Sequence, residues 1–368
     1  MKRRLLSMLL CVSVVASMAA GCGKTNDAPA DAPAADDTAD NAADADDTAD
    51  DAADNAEDVS DAADDTADDS ASDSSDGEKL VVGFAQIGQE SGWRDGETMS
   101  IQTYAQEHSD TIELLYADGQ QKQENQIKAI KSFIEQGVDV IGVAPVVETG
   151  WDQVFAEAQD AGIPIILLDR TADVSEDLYA TFIGSDFVEE GKNGAIEMAK
   201  LLDNSGKIVE LEGTVGSSAA VDRKKGFDDE LAANYPDIEI LESQTGDFTR
   251  ALGKEVMESF LKTYDNIDGV FAHNDDMALG AIEAIKEAGL KPGEDIKIVS
   301  CDGVKGIFEA MAAGEANCTV ECNPLLGPQF FEAAQTLKDG GTVEKWIKSN
   351  ESVYTADQAE AELPNRVY

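Results

Sequence analysis

From residue 79 onward, short apolar runs alternate with longer amphipathic stretches. Runs rich in valine and isoleucine are typical of β-strands, and the amphipathic stretches are typical of α-helices. The first part of this region predicts strands at Leu80–Ile87, Thr111–Tyr116, Val138–Ala144 and Ile163–Leu168, with helices at Met99–His108, Gln123–Gln136 and Trp151–Ala161. Such alternation indicates βαβ units on a parallel sheet.

The same alternation then starts again. Strands are predicted at Tyr179–Ile183, Gly206–Leu211, Ile238–Gln244, Gly269–Ala272 and Ile296–Cys301, and helices at Glu189–Leu202, Ala220–Ala233, Ala251–Lys262 and Met277–Ala288. Glycines such as Gly137, Gly162 and Gly289 mark helix ends. We therefore expect an α/β fold with two doubly wound parallel-sheet lobes.

Residues 1–22 have the pattern of a secretory signal. Lys2, Arg3 and Arg4 precede the apolar run Leu5–Ala20, which is short for a transmembrane span. The run ends in a sequence similar to a bacterial lipobox, so Cys22 is the expected lipidation site and membrane anchor. Ordinary cleavage and a retained signal anchor are the alternatives. In each case the rest of the chain is expected outside the cytoplasm.

Residues 23–78 are predicted to form a disordered acidic tether. The stretch 23–77 holds 20 acidic residues and one lysine, and it contains almost no apolar side chain larger than alanine. Dense like charge opposes helix formation and leaves no material for a core. The whole chain has a formal net charge of −48, which argues against nucleic acid as a partner.

Polar side chains follow the predicted strands of both lobes. Because ligands of open α/β sheets bind beyond the carboxyl ends of the strands, these residues are candidates for a common site. They are Glu90, Trp93, Arg94, Asp169, Arg170, Arg223, Phe248, Asn274 and Asp302. Carboxylates, amides, guanidinium groups and aromatic faces together suit the hydroxyls and C–H surfaces of a sugar.

Several segments resemble the type I periplasmic sugar-binding proteins, the substrate receptors of ABC importers related to ribose-binding protein. The segments are Gly92–Arg94, Ala117–Gln126, Ala144–Val147, Leu167–Arg170, Asp222–Phe227, Gly246–Arg250 and Ala272–Met277. They look most like the galactofuranose-binding branch, and the resemblance spans Lys79–Tyr368. It implies sugar contacts for eight of the nine residues above, while Glu90 is a candidate through its place after the first strand alone. The resemblance adds Glu321, where ribose receptors commonly carry Gln.

The resemblance also implies a three-crossover hinge, with crossings near Ile183–Ser185, Val320–Asn323 and Lys345–Ser352. The N-terminal lobe is then expected to comprise residues 79–184 and 322–348, and the C-terminal lobe residues 185–321 and 349–368. Closure around a monosaccharide would be recognised by the transmembrane subunits of an ABC permease. The expected ligands are galactofuranose first, then another aldose or pentose such as ribose, then a polyol or an autoinducer-type furanose. A monomer is expected.

Other functions are less well supported by the residues. His273 lacks a nucleophile elbow around it and is expected to be packed, while Gly213–Ser218 lacks the end of a phosphate-binding loop. No cofactor and no metal site are expected. Two states are possible for Cys301, Cys318 and Cys322: one disulfide bridge plus a free thiol, or three buried thiols. The rival hypotheses are a sugar hydrolase or isomerase, a sugar-responsive repressor, and a receptor for a sensor kinase or chemoreceptor.

Overall fold

The structure is a computed structural model, and it describes residues 78–368. The predicted signal segment, the lipidation site Cys22 and the acidic tether up to residue 77 lie outside the described residues. Every helix within 78–368 is too short or too polar to span a lipid bilayer.

The first lobe is built around a six-stranded sheet. Its strands lie in the order β11-β5-β4-β3-β1-β2, all parallel. The strands are β1 (Leu80–Gln86), β2 (Ile112–Asp118), β3 (Val140–Val143), β4 (Ile165–Leu168), β5 (Thr181–Gly184) and β11 (Trp346–Lys348), and the helices are α1 (Gly92–Glu107), α2 (Gln123–Gln136), α3 (Asp152–Asp160) and α9 (Gly327–Lys338). Strands β3, β4 and β5 are buried along their whole length, as expected for a sheet covered on both faces.

The second lobe repeats this plan. Its sheet order is β12-β10-β9-β8-β6-β7, parallel except for β12, which pairs antiparallel with β10. The strands are β6 (Gly206–Glu212), β7 (Ile238–Thr245), β8 (Gly269–Ala272), β9 (Lys297–Asp302), β10 (Cys318–Glu321) and β12 (Val353–Thr355), and the helices are α4 (Phe187–Leu201), α5 (Ser218–Asn234), α6 (Arg250–Thr263), α7 (Asp275–Glu287), α8 (Lys305–Ala312) and α10 (Ala359–Glu362).

The chain passes between the two sheets after β5, after β10 and after β11. The predicted fold class, two doubly wound lobes with a three-crossover hinge, is confirmed. The pattern predicted no elements beyond Cys301, where the short strands β10, β11 and β12 and the helices between them complete both sheets. The residue-level boundaries of the lobes stay a prediction.

The start of α1 is the main correction to the predicted elements. The helix begins at Gly92 and not at Met99, because Ser91 caps it by accepting a hydrogen bond from the Arg94 amide, and Asp95 adds negative charge to the first turn. Trp93 and Arg94 therefore lie on the first helical turn. Their side chains are held by regular backbone geometry and not by a loop.

Candidate functional site

A small cavity lies between the two lobes, at the carboxyl ends of their strands. The empty space within it amounts to about 250 Å³. The residues that line it are Glu90, Ser91, Trp93, Arg94, Asp169, Arg170, Ala219, Arg223, Phe248, Asn274, Asp302 and Cys322. Nine of the ten side chains that the sequence predicted for the site thus converge on one volume.

Arg94 organises the wall that the first lobe contributes. Its guanidinium lies 2.5 Å from Asp169 Oδ2 and 3.1 Å from Glu90 Oε1, and it also donates to Glu97. Burial alone would lower the pKa of Arg94, but Asp169, Glu97 and Glu90 together raise it well above its ordinary value. The guanidinium is therefore permanently charged and holds the surrounding carboxylates in fixed orientations.

Arg170 lies beside this network with part of its hydrogen-bonding capacity unused. Its Nη2 donates to Glu90 Oε1 at 2.6 Å, and its Nη1 reaches the Val146 carbonyl at 3.4 Å. Its Nε, which is 3.7 Å from Asp169 Oδ2, has no hydrogen-bond partner among the described residues. Burial, despite Glu90, lowers the pKa of Arg170, and the nearby Arg94 adds to this effect.

Arg223 has the corresponding position in the second lobe. It lies on α5, where its Nε donates to Glu190 Oε2 at 2.6 Å and its Nη1 donates to the His273 carbonyl at 2.5 Å. Asp302, at the end of β9, is 3.4 Å from Nη2. Burial raises the pKa of the Asp302 carboxyl well above its ordinary value, although Arg223 opposes the shift.

Two aromatic rings complete the lining. Trp93 donates its Nε1 hydrogen to the Cys322 carbonyl at 2.6 Å, which leaves the faces of the indole for packing. Phe248 reaches across from the second lobe, and the Arg170 guanidinium lies 5.0 Å from its ring centroid. Such rings can cover the C–H surface of a sugar while nearby charges bind its hydroxyls.

Three cavity residues have unusual backbone conformations. Asp169, Phe248 and Asp302 have φ angles of 59°, 60° and 122°, in the region that favours glycine. Asp169 directly follows β4, Phe248 comes three residues after the end of β7, and Asp302 is the last residue of β9. Conformations of this kind tend to be retained where they aim side chains at a functional site.

Asn274 and Glu321 make contacts that the sequence did not predict. Asn274 lines the cavity, but its Oδ1 accepts from the Met277 amide as the cap of α7 and its Nδ2 donates to the Phe248 carbonyl at 3.0 Å. It therefore also holds Phe248 in place. Glu321 is not among the side chains that line the cavity, and its carboxylate pairs with Arg366 Nη1 at 2.5 Å, so its contact with a ligand stays a prediction. The next residue, Cys322, lines the cavity instead.

Sequence reasoning missed several members of the site. Glu97 lies one helical turn after Arg94 on α1, and its Oε2 also accepts from Gln86 Nε2 at 2.9 Å. An i,i+3 pairing could have indicated this contact if the helix had been predicted to begin at Gly92. Ser91, Ala219 and Cys322 line the cavity through position alone, and no chemical pattern marks them in the sequence.

The remaining candidates have structural roles. His273 is buried, and its Nε2 lies 3.0 Å from Glu210 Oε1, which confirms it as a packed residue. Cys301, Cys318 and Cys322 are all buried free thiols, so no disulfide joins them. Trp151 is fully buried and donates to the Val147 carbonyl at 2.7 Å.

The two lobes also meet directly at the rim of the cavity. The Gly92 amide donates to Asp276 Oδ2 at 2.7 Å, the Glu148 amide to the Gly216 carbonyl at 2.9 Å, and the Thr171 amide to Ser218 Oγ at 3.0 Å. Each of these bonds joins one lobe to the other. The described conformation is therefore a closed one.

Two sheets that close on a polar cavity across a triple crossover define a class of protein that binds small solutes. The model of the periplasmic binding protein domain matches residues 82–342, so the chain belongs to that family, with the ribose-binding-like type I fold.

The galactofuranose-binding protein YtfQ of Escherichia coli (strain K12) is 51% identical over 293 residues, which are 78% of this chain and 91% of that protein. A solved structure from Mycobacterium smegmatis in complex with β-D-fucofuranose is 50% identical with a TM-score of 0.75, over 78% of this chain and 94% of the other. The binding protein of the arabinose ABC transporter from Shewanella sp. ANA-3, bound to α- and β-L-arabinofuranose, is 49% identical with a TM-score of 0.75, over 78% and 95%.

Proposed function

We propose that the protein binds one monosaccharide between its lobes and delivers it, unaltered, to an ABC permease. The single observation that carries this proposal is the cavity between the lobes, where side chains of both lobes converge and Arg170 Nε has no hydrogen-bond partner among residues 78–368. A buried donor without a partner is costly, so a ligand hydroxyl that accepts from Arg170 Nε would stabilise the closed state.

The charges of the lining indicate a neutral ligand. Three guanidinium groups, from Arg94, Arg170 and Arg223, lie beside three carboxyl groups that line the same cavity, from Glu90, Asp169 and Asp302. Arg94 and Arg223 also pair with Glu97 and Glu190 behind the lining, so every positive charge is balanced by a carboxyl group and an anionic ligand would be buried without a counter-ion. A sugar, which offers hydroxyls that both donate and accept, can bind without disturbing the balance.

The ligand is proposed to be a furanose, with galactofuranose as the first candidate. The three relatives described above are named for, or bound to, galactofuranose, fucofuranose and arabinofuranose, all five-membered rings. Another aldose or a pentose remains the alternative.

Ring form can be tested with deoxy sugars. The purified chain is first stripped of ligand, and the released ligand is identified by mass spectrometry. D-Galactose, its 6-deoxy form and its 4-deoxy form are then titrated by calorimetry. Only the 4-deoxy sugar is unable to close a five-membered ring, because that ring forms through the oxygen on carbon 4.

We expect the 6-deoxy sugar to bind and the 4-deoxy sugar to show no measurable heat of binding. Comparable affinity of the 4-deoxy sugar would contradict the furanose proposal while leaving monosaccharide binding intact. Failure of every sugar in a wider panel, together with no sugar in the released ligand, would overturn the proposed function itself.

The site is proposed to bind and not to catalyse. Glu90, Asp169 and Asp302, the carboxyl groups that could serve a glycosidase, each lie beside an arginine. A glycosidase needs a general acid together with a second carboxylate that is free to act at the scissile bond. Burial raises the pKa of Asp302, but Asp169 and Glu90 are held by charge-assisted hydrogen bonds to Arg94 and Arg170 and so are not free for that second role. Recovery of the labelled sugar unchanged after incubation with the protein is expected.

We also propose that the protein acts outside the cytoplasm, as a monomer tethered by lipid at Cys22 through the acidic segment 23–78. The lobes are proposed to divide as residues 79–184 with 322–348, and 185–321 with 349–368. A long polar tether would let a closed, ligand-bound molecule reach its permease without leaving the membrane surface.

The anchor can be tested by one substitution. Cys22→Ser removes the sulfur to which the lipid would be attached, so the protein is expected to move from the membrane fraction to the soluble extracytoplasmic fraction. Cys11→Ser, within the apolar run, is the matched control and is expected to stay with the membrane. Membrane attachment of the Cys22→Ser protein would indicate a retained signal anchor instead.

A further inference from the structure

All three crossovers of the hinge contribute a polar side chain to one buried cluster. Ser185 follows β5, Cys322 follows β10 and Glu351 lies between β11 and β12. Ser185 Oγ lies 3.3 Å from Cys322 Sγ and donates to Glu351 Oε1. Glu190, from the first turn of α4, completes the cluster, and ligand atoms of Glu190, Cys322 and Glu351 all lie within 4.8 Å of one another.

The cluster contains an unsatisfied acceptor. Glu190 is 2% exposed, and while its Oε2 accepts from Arg223, its Oε1 has no hydrogen-bond partner in the described part of the chain. A buried carboxylate oxygen in this situation is costly unless a donor or a cation reaches it. The neighbouring thiol and the second carboxyl group offer further electron pairs to the same point.

A pocket on the outer side of the hinge leads to this cluster. Five of the side chains that line it are acidic, namely Asp186, Glu189, Glu190, Glu321 and Glu351. The only basic side chain among the described residues of its lining, Lys348, is paired with Asp186 at 3.1 Å. The pocket thus has a negative potential that would concentrate cations at its base.

We propose that Glu190, Cys322 and Glu351 bind one divalent, thiophilic cation of the Zn²⁺ class at the hinge. A thiolate with two carboxylates is a ligand set that Zn²⁺ accepts, whereas Mg²⁺ and Ca²⁺ prefer oxygen ligands alone. On binding, the Cys322 thiol gives its proton to solvent and its sulfur bonds the metal. Ser185, whose hydroxyl donates to Glu351, orients that carboxylate from outside the ligand set.

The cation would act on the hinge and not as a ligand of the sugar. Cys322 lines the sugar cavity on one side, while Glu190 and Glu351 line the hinge pocket on the other. One ion would therefore join two crossovers to α4, directly behind the sugar cavity. If it binds the closed form more tightly than the open form, sugar and metal must raise each other's affinity by the same factor.

The test uses the full chain after treatment with a chelator, with ZnCl₂ as the probe in calorimetry and MgCl₂ for comparison. We expect one zinc site, which Glu351→Gln weakens at least tenfold. Glu189→Gln is the matched control, because it removes the same charge from the pocket wall but not from the cluster, and it should change zinc affinity less than twofold. Sugar affinity without metal is expected to be the same in both variants.

A second measurement separates this site from the carboxylates of residues 23–78. Co²⁺ bound in place of Zn²⁺ gives a thiolate-to-metal absorption band, which is expected in the wild type and absent in Cys322→Ser. Zinc affinity that is equal in Glu351→Gln and the wild type, or a cobalt complex without the thiolate band, would overturn the proposal. Neither result depends on which sugar the protein binds.

Discussion

Arg170 is the cavity residue that has the clearest unused hydrogen-bonding capacity. Its charge is held by Glu90, yet its Nε faces no partner in the described chain. Arg94 and Arg223, by contrast, are each held by carboxylates through several contacts. Arg170 can therefore donate a further hydrogen bond to a ligand, whereas Arg94 and Arg223 also hold the carboxylates around the cavity in place.

Arg170→Ala is expected to weaken sugar binding at least tenfold. A hydrogen bond to a charged group contributes about 1.5–3 kcal/mol, and each 1.4 kcal/mol changes affinity about tenfold. Calorimetry measures the effect. Lys128→Ala, at an exposed position of α2, is the control and is expected to leave the affinity unchanged. If Arg170→Ala binds the sugar as the wild type does, Arg170 has no direct contact with the ligand.

Glu210 is a second residue whose environment has a measurable consequence, although it does not line the cavity. It is fully buried, with His273 Nε2 at 3.0 Å and Lys224 Nζ at 2.5 Å. Burial alone would raise its pKa, but His273 and Lys224 outweigh burial and lower the pKa of Glu210 from 4.5 to about 2. The folded state therefore favours the ionised carboxylate.

The free energy of unfolding should reflect this shift with a definite sign. Because the pKa of Glu210 is lower in the folded state, its contribution is present above about pH 4.5 and is lost as the pH falls towards 2. The shift corresponds to on the order of 3 kcal/mol. Urea unfolding at a series of pH values should show that Glu210→Gln lacks this part of the acid dependence, whereas Glu255→Gln, at an exposed position, keeps it. An unchanged acid dependence in Glu210→Gln would contradict the assignment.

At the scale of elements, the turn between β6 and α5 positions Phe248. Gly213 directly follows β6, and a Cβ atom added to it would lie 1.9 Å from Phe248 Cζ. The sequence already argues against a phosphate loop at Gly213–Ser218, and in the structure the absence of a side chain at Gly213 makes room for the ring. A glycine that looks like a ligand-binding feature therefore serves a neighbouring aromatic residue.

Gly213→Ala is expected to weaken sugar binding by displacing the Phe248 ring. Phe248→Ala should weaken it for the same reason, and the double variant should be no weaker than the more severe single variant. Calorimetry on all four proteins completes the cycle. Additive losses would show that Gly213 affects the cavity by a route that does not involve Phe248.

The helices and strands also show how much of the fold can be predicted from the sequence. Period-two and helical patterns predict the strands and helices up to Cys301, because these elements follow from the local sequence. Nine of the cavity residues could be predicted because ligands of parallel sheets bind beyond the carboxyl ends of the strands. Strands β11 and β12 have three residues each, which is too short for a pattern. Strand β10 is as long as β3, but its sequence Cys-Thr-Val-Glu has only one apolar β-branched residue, Val320. The pairing of Glu321 with Arg366 could not be predicted, because a single strand position decides which side a side chain faces and Arg366 lies 45 residues away.

At the scale of the whole molecule, closure depends on contacts between lobes that lie outside the sugar cavity. Asp276, in the first turn of α7, accepts from the Gly92 amide at the start of α1 at 2.7 Å, and Arg250 lies 3.3 Å from its other oxygen. A carboxylate at the N-terminus of a helix is favoured by the helix dipole. Here one carboxylate faces the starts of two helices that belong to different lobes.

Asp276→Ala is expected to weaken the closed state without changing the lining of the cavity. The bond to Gly92 spans the two lobes of the closed form, so its loss should raise the dissociation rate of the sugar and leave the association rate nearly unchanged. A loss of about 1–1.4 kcal/mol corresponds to roughly a five- to tenfold faster release. Stopped-flow measurement of sugar release from Asp276→Ala, compared with the exposed-site control Asp265→Ala, checks this expectation. Equal release rates would mean that this contact between the lobes does not hold the closed state together.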